Sequence, residues 1–124
     1  MRGNAILNHI FSLIDLTSLN STDNEVSIST LTGKVNNLRD RHPEFPDVAA
    51  ICVYPNMVSR VRKTLKAEKV RVASVAASFP SSQTFLDIKL LEVQRVIAEG
   101  ADEVDVVMSL GSFLQGRYEF VSDE

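Results

Sequence analysis

Four short segments, apolar on both faces and each followed by a stretch of helical periodicity, constrain this chain more than any single residue does. They are residues 13–17 (LIDLT), 48–54 (VAAICVY), 70–77 (VRVASVAA) and 103–108 (EVDVVM). A strand with one wet face alternates apolar and polar residues, whereas a parallel strand covered on both faces reads as a near-continuous run of Val, Ile and Ala. Thr22 and Glu25 give a T-x-x-E helix start ahead of Ile28, Leu31, Val35 and Leu38. Pro55 suits a first helical position, with Val58, Val61 and Leu65 on one stripe behind it. Thr84 and Asp87 repeat the capping signature ahead of Leu86, Leu90, Val93 and Ile97, and Gly100 is placed as a helix stop. A further helix starts over 118–124. The period βαβαβαβ(α) indicates an α/β protein with a parallel sheet. Two architectures fit it: a doubly wound open sheet, or part of a (β/α)8 barrel. A whole barrel takes about 250 residues, so four βα units amount to roughly half of one.

Composition narrows the class. The chain of 124 residues is 44% hydrophobic and 23% charged, which is ordinary globular usage and excludes a disordered or fibrous protein. A formal charge of −3 leaves no basic footprint for nucleic acid. The apolar stretch at the N-terminus is broken by Asn4, Asn8 and His9, a poor signal peptide, and no run approaches the length of a membrane span. Cys52 is the single cysteine, so no intramolecular disulfide forms and a reducing cytoplasm is the expected location.

The chemistry lies in the acids of the strand-like segments. Alternation puts Glu103, Asp105 and Val107 on one face of the fourth strand, and Val104, Val106 and Met108 on the face that would meet helices. Asp105 then points into a barrel interior or along the other side of a sheet. A buried carboxylate is costly without a partner. It either caps a loop or pairs with an arginine such as Arg71, or it carries protons at the carboxyl end of a strand, where such folds build their sites. Asp15 repeats the theme in the first strand, followed by Thr17. Asp102 reads as a turn residue and Glu103 as a rim residue. Cys52 sits mid-strand, where most cysteines are inert packing. His9 and His42 have no metal-ligand spacing to Cys52, so no metal site is expected. The five glycines form neither a G-x-G-x-x-G nor a Walker pattern, and there is no G-x-S-x-G elbow. Lys34, Lys63, Lys66, Lys69 and Lys89 fall in helical patterns or at their ends and read as solvated faces.

GADEVDVV at 100–107, AAICVYP at 49–55, VRVASVAASFP at 70–80 and LIDLTSLN at 13–20 together resemble the deoxyribose-phosphate aldolase family, in order and in spacing. The resemblance implies a TIM barrel and a reversible aldol cleavage of 2-deoxy-D-ribose 5-phosphate to D-glyceraldehyde 3-phosphate and acetaldehyde. It also implies a class I mechanism, in which a lysine amine forms a Schiff base with the substrate and neither metal nor other cofactor is used. It puts the family's proton-relaying aspartate at Asp105. Asp15, Leu16 and Thr17 would line the sugar pocket, and Cys52 would point toward the same cavity. The family's Schiff-base lysine, its second lysine and its phosphate-binding loops belong to later strands and have no counterpart in this chain. Ser81 and Ser82 stand where the family usually has His-Gly.

The expectation is therefore that residues 1–124 are the N-terminal part of one aldolase barrel, inactive alone. Such a half-barrel would pair with a complementary C-terminal half or self-associate through its two open sheet edges. The competing readings are a half-barrel without catalysis and a receiver-like α/β binding module. The latter would gather an acid pair near the first strand and a lysine on a fifth; Asp15 has no neighbouring acid.

Overall fold

A computed structural model describes residues 2–124, with side-chain burial at all of these except positions 2, 3 and 39. Four strands lie among the described residues: β1 (Asp15–Thr17), β2 (Ala50–Val53), β3 (Arg71–Ala76) and β4 (Glu103–Val106). All pair in parallel, in the spatial order β1-β2-β3-β4. That order decides between the two architectures. A doubly wound sheet reverses direction and leaves its first strand inside, as in a receiver-like domain. Here the chain advances by one neighbour at each crossover, as the strands of a (β/α)8 barrel do. The receiver-like reading is overturned, and the fold is four successive βα units of barrel type.

The helices are α1 (Arg2–Phe11), α2 (Glu25–Asn36), α3 (Leu38–Arg41), α4 (Val58–Thr64), α5 (Leu86–Ala98), α6 (Leu110–Leu114) and α7 (Tyr118–Asp123), with a 3-10 turn at Pro55–Met57 leading into α4. Pro55 takes the first position of that turn, as its spacing suggests. The start of α2 differs from the expected Thr22–Glu25 box. Asn24 Oδ1 accepts from the backbone N–H of Val26 (2.9 Å) and Ser27 (3.2 Å), while Ser27 Oγ accepts from the Asn24 N–H. The same reciprocal logic is executed two residues later, by an amide and a hydroxyl. Glu25 is thereby released to pair with Arg60 of α4. At α5, Phe85 is the N-cap and supplies no side-chain cap; Thr84 does not act as one.

The main core lies between the sheet and its helical layer. Ile51 and Val53 of β2, Val72 and Ala76 of β3, Ile28 and Val35 of α2, Val58 and Val61 of α4 and Val96 of α5 form one buried cluster. Asn36 ties the end of α2 to the α4–β3 connection: its amide donates to Thr64 O at 2.8 Å and accepts from Lys66 N–H at 2.7 Å. The turn between α5 and β4 is stapled as well. Gly100 adopts φ +104°, a conformation that favours glycine, and its carbonyl accepts from the Arg62 guanidinium at 2.9 Å.

Of the stripe Leu86, Leu90, Val93 and Ile97, Val93 alone packs against the core. Leu86, Leu90 and Ile97 remain exposed, and the buried positions are Lys89 and Val96. Amphipathic spacing identifies a helix but not which neighbour its apolar side meets.

Candidate functional site

The second face of the sheet is built from small residues. Ala50 and Cys52 of β2 and Ala73 and Val75 of β3 form a second buried cluster, with Leu19, Tyr54 and Phe79 packed against it. The ladder fixes what stands beside them. Thr17 pairs with Cys52, Cys52 with Ala73, and Ala73 with Glu103, so these four form one row across the sheet. Asp15 pairs with Ala50, and Asp105 with Val75. Strand alternation therefore puts Asp15, Thr17, Cys52, Glu103 and Asp105 on this one face. Leu16 pairs with Ile51 on the opposite face and packs into the helix-side core, so it lines no part of the acid-bearing surface.

Burial separates the members of this face. Cys52 is buried at the centre, whereas Asp15 and Asp105 are exposed because β1 and β4 are the outer strands. The expected buried carboxylate is thus not found at Asp105. Glu103 pairs with Arg71 at 2.6 Å, which takes up the arginine that could otherwise have served Asp105. Among the described residues no basic side chain pairs with Asp15 or Asp105. Burial pushes the Cys52 thiol up from its ordinary value, and the charges of Asp105 and Asp15 add to this. Hydrogen bonding by the Thr17 side chain and the Val75 backbone acts against it. The thiol stays protonated near neutrality and is a poor nucleophile there. What the face can do chemically is accept and return protons at two accessible carboxylates.

Asp102 is the turn residue that its position suggests. Its carboxylate accepts from the Val72 N–H at 2.8 Å and pairs with Arg62 at 2.7 Å, while its own N–H donates to Val72 O. Burial would raise its pKa, but these bonds and the Arg62 charge outweigh that and hold it below the usual carboxylate value. It secures the entry of β4 against β3, on the far side from the carboxyl edge.

Lys89 was missed by the sequence reading. It is not on a solvated face but 4% exposed, with its ammonium bonded to Ser82, Ser109 and Glu124 beneath the β3–α5 and β4–α6 loops. Helical spacing places Lys89 only at the flank of the Leu86–Val93 stripe, beside Val93, so no local signal marked it as buried. No group of three or more His, Cys, Asp or Glu that could hold a metal ion occurs among the described residues. No helix among them is long and apolar enough to cross a membrane.

A sequentially ordered parallel sheet whose acids gather on one face is the framework of the (β/α)8-barrel enzymes. Residues 10–116 match the DeoC/LacD family of aldolases, and the chain belongs to that family. It is 37% identical over 123 residues to the deoxyribose-phosphate aldolase of Homo sapiens, covering 91% of this chain and 39% of that protein. The Bos taurus enzyme of the same name is 35% identical over 121 residues, covering 90% of this chain and 38% of its own length. Among solved structures, the aldolase QR15 superposes with a TM-score of 0.78 at 27% identity, covering 92% of this chain and 47% of that one. The chain spans about two-fifths of the length of the curated relatives it matches.

Proposed function

We propose that this chain supplies the acid-bearing N-terminal part of a class I deoxyribose-phosphate aldolase, acting with a complementary C-terminal half. The observation that carries the reading is the shared face of Asp15, Thr17, Cys52 and Asp105 in a chain of this family. The substrates would be 2-deoxy-D-ribose 5-phosphate in the cleavage direction, and acetaldehyde with D-glyceraldehyde 3-phosphate in the reverse.

Asp105 is the proton relay in this scheme. It stands on the outermost strand with its carboxylate accessible, facing the side on which the barrel interior closes. A carboxylate there takes and returns the protons that the carbinolamine and enamine stages of a Schiff-base reaction must move. Asp15 and Thr17 line the sugar side of the pocket, and the protonated Cys52 fills its floor. The Schiff-base lysine comes from the other half. Lys89 cannot substitute for it, because it lies outside this face with all three donors engaged. Alone, the 124 residues are inactive and associate with that half or with one another. A role in deoxyribonucleotide catabolism in the cytoplasm completes the reading.

Intact-protein mass spectrometry after borohydride reduction with acetaldehyde tests it. The chain mixed with the C-terminal portion of a full-length relative is expected to yield a reduced adduct on that second polypeptide. No adduct should form on the 124-residue chain alone. An adduct on the isolated chain, or none in the mixture despite stable association, sinks the proposal.

A further inference from the structure

Lys89 presents a problem that the helix alone does not solve. Lysine is almost never fully buried unless it is paired, because its ammonium loses hydration that only well-placed acceptors replace. Here the replacement is complete. Lys89 Nζ donates to Ser82 Oγ at 2.8 Å, to Ser109 Oγ at 3.0 Å and to Glu124 Oε1 at 2.6 Å. Ser109 Oγ donates in turn to the other oxygen of Glu124.

The three acceptors come from three different segments. Ser82 belongs to the loop that leaves β3, Ser109 to the loop that leaves β4, and Glu124 follows α7. We propose that Lys89 is a positioning residue, clamping the exits of β3 and β4 together and thereby holding the strand end that carries Asp105. This rests on the aldolase reading for its catalytic consequence, though not for its geometry.

The clamp acts where the β3–β4 ladder stops. Among the described residues β4 pairs with β3, and the register places Asp105 beside Val75. Beyond Val106 the ladder ends, and the next side-chain anchor is Ser109 on Lys89. The β3 exit needs holding as well. Ala77, Ser78 and Ser82 all adopt positive φ, at 58°, 61° and 57°, conformations that cost free energy for residues with a side chain. The same helix holds two of them. Glu92 Oε2 accepts from the Ser78 N–H at 2.8 Å, one turn beyond Lys89, which reaches Ser82. Glycine would fit position 82 without strain, but only a side chain there offers Lys89 an acceptor.

Three variants of the 124-residue chain test the clamp by amide hydrogen exchange and by the carboxyl carbon resonance of Asp105. Lys89→Met keeps the stem and removes the donors. Exchange over 77–84 and 107–112 should rise roughly tenfold while β2 and β3 hold, since such loops open without global unfolding. The Asp105 signal should shift, and Lys89→Arg should return it most of the way. Ser82→Gly should loosen 77–84 alone. If Lys89→Met leaves the Asp105 resonance in place, Lys89 only packs and the proposal is overturned. Should that variant unfold, Ser82→Gly decides: faster exchange confined to 77–84 supports the clamp, and unchanged exchange rejects it. In the chain completed by a C-terminal half, Lys89→Met should lower kcat roughly tenfold with KM little changed, as expected for a displaced catalytic group. A wild-type complex without activity would count against the aldolase reading, while the exchange and resonance data would still judge the clamp.

Discussion

The centre of the sheet and its β4 end are built from similar sequences and reach different degrees of completion. β2 is buried at every residue and β3 at all but Arg71; α2 and α4 cover them, and the inner cluster of alanines, cysteine and valine closes their other face. β4 has an equally apolar helix-side face, yet Val106 and Met108 are about half exposed, as are Leu90 and Ile97 of the neighbouring α5. The difference lies in neighbours rather than in residue type. A βα unit is buried only when a unit stands on each side of it, so the same pattern gives a core in the middle and an adhesive surface at the end. The acids follow the same division: Asp15 and Asp105 occupy the two outer strands, and small uncharged residues fill the inner face between them.

Stability measurements on substitutions at the two ends of this contrast should separate it most strongly. Ile51→Ala in the centre is expected to cost about 2–5 kcal/mol by urea denaturation, the range for deleting a buried branched side chain. Leu90→Ala at the open end should cost less than ~0.5 kcal/mol, as surface changes do. Equal losses would mean that α5 is covered in solution, for instance by a second copy. Next in size is Asp102→Ala, which leaves the buried Val72 N–H without an acceptor and should cost about 1–3 kcal/mol. Gly100→Ala comes below it, at about 1 kcal/mol, because the new Cβ would demand φ +104° and lie 3.3 Å from Arg62 Nε.

Acid titration sharpens the same boundary. The folded pKa of Asp102 is depressed, so its contribution is full above the ordinary carboxylate value and is lost as the pH falls through the folded value. Glu124, held low chiefly by its bond from Lys89 and then by Ser109, behaves alike. Acid should therefore loosen the β4 end before the centre, which exchange measured at two pH values would show. The smallest effect is expected from Asp105→Asn. Stability should change by less than ~0.5 kcal/mol, since the carboxylate is exposed and unpaired in this chain. The pH midpoint for alkylation of Cys52 should fall, because one of the charges raising it is gone. An unmoved midpoint would show that the two groups do not sense each other across the sheet.

The strands and their shared face were legible because period-two alternation and valine-rich runs are local signals. LIDLT, VAAICVY and EVDVVM each contain an observed strand, and Asp105 falls with Glu103 on the face that alternation assigns, beside Asp15, Thr17 and Cys52. The helix at Arg2–Phe11 is not legible in the sequence pattern, and its apolar residues Ile6, Leu7 and Ile10 stay exposed. Caps were misplaced by two residues at α2, where Asn24 outcompeted Thr22. Leu16 was carried into the pocket with its neighbours, although a residue between two inward ones must point outward. Lys89 escaped because its burial depends on acceptors in three separate segments, 7, 20 and 35 residues away, brought together only by the fold. The exposure of Asp105 escaped for the same kind of reason, being set by which strand stands last.

The order β1-β2-β3-β4 also bears on how the chain comes into being. Each of these strands after the first hydrogen-bonds to the one made just before it, so the ladder between them forms without waiting for a distant segment to be synthesised. A nascent polypeptide leaving the ribosome can lay each βα unit on its finished predecessor, and each closure spans only one crossover. The growing edge is then always the newest strand. Assembly halted at any unit would present that strand, with whatever acid it carries, to the next element that arrives.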